Sequence, residues 1–236
     1  MILNIKRGVF GDCIRNGDLI AVANVVEYLR LETPDLKFYI HADAMAQAQY
    51  NREFYSWLLK NTDYFSVSPG EKDLNWSRVN LWDFRDISGD LVKIKNPLIQ
   101  EKKIVICPLF DAPYNTYRNW PRPVFDSLLE HYSKSLYDNY QKIILTPKAD
   151  FYHEGWTQSI DFLNNLYHIM TAEIFVGGDT GTSHFAWALD KSPETMIYLN
   201  SSRGLLHTLP FYLLQGKGST KTYWLDFEGS NFQATM

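Results

Sequence analysis

Apolar residues along the chain fall into short unbroken runs and longer stretches at helical spacing, and the two alternate. Ile2 to Lys6 reads as a short buried strand running into a glycine-punctuated turn, Gly8-Val9-Phe10-Gly11-Asp12. From Leu19 to Leu31 the apolar positions Leu19, Val22, Val25, Val26 and Leu29 predict a helix, stopped by Pro34. Lys37 to His41 reads as a second strand. A strand–helix–strand opening predicts an α/β unit with a parallel sheet. Asp63 to Pro97 has little periodicity and carries turn signals at Ser68-Pro69-Gly70 and Ser88-Gly89-Asp90.

The pattern then restarts. Lys103 to Pro108 reads as a buried strand, and Pro121 to Tyr132 as a helix with Val124, Leu128 and Leu129 on one face. Lys142 to Thr146 is a strand, followed by a helix near Trp156 to Asn165. Ile174 to Val176 is a strand entering a glycine loop, Ser183 to Leu189 a helix and Thr195 to Leu199 a strand. The expected architecture is α/β, as two Rossmann-like domains with mainly parallel sheets, residues 1–96 and 97–236. No internal repeat or heptad run appears.

Composition narrows the picture modestly. At 236 residues, 45% hydrophobic and 21% charged, the chain has the make-up of a folded protein. A net charge of −4 argues against general affinity for polyanions. Cys13 and Cys107 are too few for a disulfide framework or a zinc site. Met1 to Gly8 lacks the apolar core of a signal peptide, and no apolar run is long enough to span a bilayer. A cytoplasmic location is the expectation.

The chemistry concentrates at Gly177-Gly178-Asp179-Thr180-Gly181-Thr182-Ser183-His184, between a predicted strand and a predicted helix. That placement aims backbone N–H groups and a helix N-terminus at an anion. Gly177, Gly178 and Gly181 allow close backbone approach, and Thr180, Thr182 and Ser183 offer hydroxyl donors where a diphosphate would sit. The plain alternative is a Gly/Thr turn into a helix. The loop is neither a Walker loop nor a dinucleotide fingerprint. Gly216-Lys217-Gly218-Ser219-Thr220, the nearest look-alike to a Walker loop, reads as a flexible turn.

The stretch Phe175 to Pro193 resembles the C-terminal-domain motif of the lipopolysaccharide heptosyltransferase family, V-x-x-D-T-G-x-S-H-x-A-x-A-L-x-x-P. The resemblance implies a GT-B fold with an interdomain cleft, and a loop that binds the diphosphate of a nucleotide-sugar donor through Asp179, Thr180, Gly181, Thr182, Ser183 and His184. Asp179 would brace the loop, and His184 would bind or pack. Arg7-Gly8-Val9-Phe10-Gly11-Asp12 looks like the family's R-x-G-x-x-G-D segment with one spacer fewer. It implies Asp12 as catalytic base, with Arg7, Gly11 and Arg15 on the acceptor side. The competing reading makes Asp12 a helix cap. Tyr117 to Phe125 looks like K-x-W-P-x-x-x-F, with Arg118 where the family has a phosphate-binding Lys and Arg122 as a nearby substitute. Glu154, after a strand, is the candidate for the ribose, against simple surface charge.

No D-x-D is present to hold a divalent ion. The reaction expected from the resemblance is an inverting, metal-independent sugar transfer without a cofactor, Asp12 taking the acceptor's proton. The first half is shorter than in typical family members, so the acceptor does not carry over. A glycan is expected. A hydroxylated DNA base is the alternative, with Lys93, Lys95, Lys102 and Lys103 lining a groove. A sugar-nucleotide epimerase and a non-catalytic sugar-nucleotide-binding protein are the other readings.

Overall fold

The computed structural model describes residues 2–5, 15–40, 49–66, 92–108, 119–146, 153–178, 180–200 and 220–225. The chain divides into two compact units, Met1–Lys95 and Asn96–Met236.

In unit 1, strand β1 (Ile2–Ile5) leads to helix α1 (Asn16–Arg30), strand β2 (Lys37–Ile40) and helix α2 (Gln49–Asn61). The strands pair in parallel, Ile2 beside Lys37 and Ile5 beside Ile40. Helix α1 buries Leu19, Val22, Val25 and Val26, as its apolar spacing demands. At its start the Asp18 carboxylate accepts the Arg15 N–H at 2.9 Å, tying down the first turn. Arg15 is the N-cap and is exposed. Helix α2 buries Asn51, Phe54 and Leu58.

Tyr64 clasps a neighbouring segment of this unit. Its hydroxyl donates to the Lys93 carbonyl at 3.2 Å and accepts the Lys93 N–H at 3.0 Å. Burial pushes the phenol up to about 12, partly opposed by the Lys93 backbone bond. An unfolded tyrosine releases its proton near pH ~10. The native state therefore holds a proton that the unfolded state has lost, and stability falls as pH rises from about 10 through about 12. Alkaline denaturation followed by circular dichroism is expected to show this slope, flattened in Tyr64→Phe.

Unit 2 is built on β3 (Glu101–Cys107), α3 (Arg122–Tyr132), β4 (Gln141–Leu145), β5 (Thr157–Ser159), α4 (Phe162–Thr171), β6 (Ala172–Gly177), α5 (Gly181–Ala188), β7 (Glu194–Asn200) and β8 (Thr220–Leu225). The sheet order is β5-β4-β3-β6-β7-β8, and every pairing is parallel. This is the doubly wound order: the chain steps outward from β3 to β5, returns to the centre, and steps outward again from β6 to β8. The α/β fold expected from the sequence is therefore present.

On one face Ile104, Ile106, Ile144, Ile174 and Val176 pack against Trp120, Phe125, Leu128, Leu129 and Tyr132, the last four from α3. Trp120 is almost fully buried just before α3 and anchors the turn into it. Asn96 ties the start of the unit down: its N–H reaches Asp190 Oδ1 at 2.8 Å and its amide donates to the Met170 carbonyl at 2.7 Å.

Two expectations are corrected here. The segment near Trp156 to Asn165 is not one helix. Thr157–Ser159 pairs with Ile143–Leu145 as an edge strand, and the helix starts only after Asp161, whose carboxylate caps the Asn164 N–H at 2.8 Å. Lys103 lines no groove: only 1% exposed, it holds Glu101 at 2.9 Å and donates to the Thr171 hydroxyl. Alternation along β3 turns it inward with Val105. Lys93, Lys95 and Lys102 are exposed.

Candidate functional site at the end of β3 and β6

Strands β3 and β6 are neighbours with Cys107 beside Gly177, and both strands end there. From β3 the chain goes to β4 on one side, and from β6 to β7 on the other. This is the topological switch point, where the connections diverge and leave a crevice beyond the strand ends. The 177–184 loop lies at that point.

Its local structure follows from its residues. Thr180 is the N-cap of α5, with extended backbone (φ −134°, ψ 161°), and its Oγ1 accepts the Ser183 N–H at 3.3 Å. The Thr180 carbonyl accepts the N–H groups of Ser183 and His184 at 3.1 and 3.2 Å. Gly177 is dictated by crowding: a Cβ there would run into the Ser183 hydroxyl and come within 2.8 Å of the Phe175 ring.

The hydroxyl groups form a chain whose direction can be worked out. Ser183 Oγ donates to the Gly178 carbonyl at 2.6 Å, which spends its single proton. The contact of Thr180 Oγ1 with Ser183 Oγ at 3.2 Å therefore takes its proton from Thr180. Thr182 then donates to Thr180 across 2.7 Å, and the Cys107 thiol donates to Thr182 at 3.1 Å. The order is Cys107 to Thr182 to Thr180 to Ser183 to Gly178. It requires a protonated Cys107, and burial pushes that thiol up while its hydroxyl contacts pull the other way.

This corrects the role expected of the three hydroxyls. Their protons are used within the loop, and Ser183 is fully buried. They brace the loop and present no donors outward. The groups left at the helix start are the N–H of Gly181 and of Thr182, which take no partner among the described residues. Two such N–H groups at the positive end of a helix, beyond the ends of a parallel sheet, suit an anion.

The other expected residues fare differently. His184 is buried within α5, 2% exposed. Glu154 is exposed on the wrong side of the sheet. Thr157 pairs with Ile143, so Glu154 precedes the start of β5. Two residues on, Trp156 bonds through its indole N–H to Ser133, where α3 ends. That edge is where strands begin, away from Cys107 and Gly177, so Glu154 is dropped from the crevice. Arg122 opens α3 at the favourable edge, where it is exposed and engaged with Asp126 at 2.8 Å. Arg7, Gly11, Asp12, Arg118 and Asp179 lie outside the described residues. Among the described residues no group of three or more His, Cys, Asp or Glu is placed to hold a metal ion, and no helix is long and apolar enough to cross a membrane. Sequence reasoning missed Cys107, whose only advance signal was its position at the end of a predicted strand.

No protein-family model, curated protein or solved structure matches the chain. The functional reading is therefore carried by the geometry of the crevice and the motif within it.

Proposed function

We propose that the protein is an inverting, metal-independent glycosyltransferase of GT-B type, moving a sugar from a nucleoside-diphosphate donor to a hydroxyl acceptor. The observation that carries this reading is the pair of N–H groups at Gly181 and Thr182, held by the hydroxyl chain at the switch point of a doubly wound sheet. A diphosphate placed there gains charge-assisted hydrogen bonds and the helix field. The same two groups stabilise the charge on the departing nucleoside diphosphate, a task otherwise given to a metal or a cationic side chain. Arg118 and Arg122 are the cations proposed to assist. Asp12 is the proposed base, taking the proton of the acceptor oxygen as that oxygen attacks the anomeric carbon. In this reading residues 1–96 carry the acceptor side and residues 97–236 the donor side.

The test is an incubation with nucleotide sugars in the presence of a chelator, with and without acceptor. The transferase reading expects nucleoside diphosphate to be released only when acceptor is present, and the product to have inverted anomeric configuration. Consumption or isomerisation of donor without acceptor would favour an epimerase. Binding without turnover on any acceptor would favour a non-catalytic module.

A further inference from the structure

We infer that the last turn of α4 is an acid-sensitive latch: the Lys103 ammonium ties that turn to β3, and protonation of His168 in the same turn brings in a second cation and loosens it. Lys103 is buried, and neither the crevice nor the reaction proposed there uses it. Its Nζ lies 2.9 Å from Glu101 Oε2 on its own strand and donates to the Thr171 hydroxyl on α4. The ammonium also stands 5.3 Å from the centre of the Tyr167 ring, one residue before His168. Thr171 Oγ1 in turn donates to the Tyr167 carbonyl at 3.0 Å and lies 3.4 Å from that of His168. One buried cation thereby gathers residues 167–171 onto the start of β3.

The His168 imidazole suits this cluster only when neutral. Its Nδ1 is sealed from solvent and meets no partner among the described residues. A neutral ring can keep its proton on Nε2 and leave Nδ1 bare, whereas an imidazolium carries a proton on both nitrogens. The Nδ1–H of a charged ring would be a buried donor without an acceptor, in the turn that already holds an ammonium. A helix C-terminus favours a cation, and Lys103 fills that place. Burial first and Lys103 second hold the His168 imidazole below its ordinary range, with Glu101 pulling the other way.

The elements packed on α4 leave Lys103 and Glu101 in control of the ring. Strand β3 supplies both of them, with Lys102 directed to the Tyr140 ring at 6.0 Å and Cys107 at the strand's far end. Strand β6 adds Glu173, whose carboxylate accepts the Tyr140 hydroxyl at 2.9 Å. Helix α5 adds the buried His184, and β5 has no titratable residue. On α4 itself the neighbour is Tyr167, with the capping Asp161 at the opposite end. As pH falls below about 6.5 a free imidazole takes up a proton that the docked one does not, so docking of the turn weakens toward acid. The latch lies where β3 and β6 begin, at the opposite end of those strands from the crevice, and is independent of the transferase reading.

The experiment is an NMR titration of the histidine rings in the full chain, with amide hydrogen exchange across α4 followed in the same samples. It compares wild type with His168→Gln, which also assigns the resonance, Lys103→Met and Glu101→Gln. His168 is expected to titrate below the ordinary midpoint of about 6.5. Lys103→Met should move that midpoint up, and Glu101→Gln should move it down. Exchange protection in the last turn of α4, corrected for intrinsic rates, should fall in wild type as the ring is protonated. The fall should reach about tenfold for each pH unit by which the midpoint lies under that of a free imidazole. In His168→Gln the protection should stay level over the same range. Should Lys103→Met not fold, Glu101→Gln tests the same charges with the opposite sign. A wild-type midpoint at or above about 6.5, a midpoint indifferent to both charge variants, or the same acid loss of protection in His168→Gln overturns the inference.

Discussion

Replacing Asp12 with Ala is expected to lower turnover by about 10²–10⁴-fold, the usual contribution of a positioned general base, while nucleotide affinity stays within about twofold. The competing role for this carboxylate, capping the following helix, makes the opposite forecast: a loss of about 1 kcal/mol in stability with chemistry intact. The start of α1 speaks against the capping role. Helix α1 begins at Asn16 with Arg15 as its N-cap, and its first turn is tied by Asp18. Asp12 lies upstream of that cap in sequence, so the capping job is taken. Single-turnover rates, nucleotide affinity and melting temperature measured on the same variant separate the two readings. Wild-type turnover in Asp12→Ala would remove the base from the mechanism.

Gly177→Ala is expected to have the second large effect, this time on stability. Its Cβ meets the Ser183 hydroxyl and the Phe175 ring at 2.8 Å. Neither neighbour can yield freely: Phe175 is wholly buried in β6, and Ser183 Oγ is bound to the Gly178 carbonyl. Overpacking of this kind costs about 1–3 kcal/mol. The damage should reach the site as well, since shifting Ser183 breaks the hydroxyl chain at its last link. A second substitution, Ser183→Ala, removes one of the two collisions. The double variant is expected to be more stable than the sum of the single losses. Additive losses in thermal unfolding would show that the crowding is not shared.

Much of unit 2 was legible because its strands are buried on both faces. Ile104-Val105-Ile106 and Ile143-Ile144-Leu145 are unbroken apolar runs, and all six are buried. The loop was legible because strand, glycines and helix came in order. What the sequence hid is equally specific. Helix α2 is missing from the periodic reading because Asn51 takes one of its three buried positions and thins the apolar stripe. Strand β5 is short and polar, Thr157-Gln158-Ser159, and only pairing with β4 makes it a strand. Strand β8 begins at Thr220, the last residue of a segment expected to be a flexible turn. Lys103 looked like a surface charge because no local signal reveals that Thr171 and Glu101 meet it inside. The direction of the hydroxyl chain is set by the Gly178 carbonyl, a folded-state contact with no sequence signature, so three apparent ligand donors turned out to be braces.

The central claim is that the N–H groups of Gly181 and Thr182 at the start of α5 hold a diphosphate, and Gly181→Pro tests it most directly. Proline is tolerated at the first residue of a helix, and the preceding Thr180 already has the extended backbone that proline demands. The substitution therefore deletes one N–H and spares the fold, while Gly181→Ala keeps the N–H as a control. Calorimetric titration of ADP, UDP and GDP should find a nucleoside diphosphate that binds wild type and Gly181→Ala alike. Gly181→Pro should bind it more weakly by roughly 10–150-fold, the equivalent of about 1.5–3 kcal/mol for one charge-assisted hydrogen bond. Equal affinity in a folded Gly181→Pro, or no nucleoside diphosphate bound by the wild-type chain, would contradict the account.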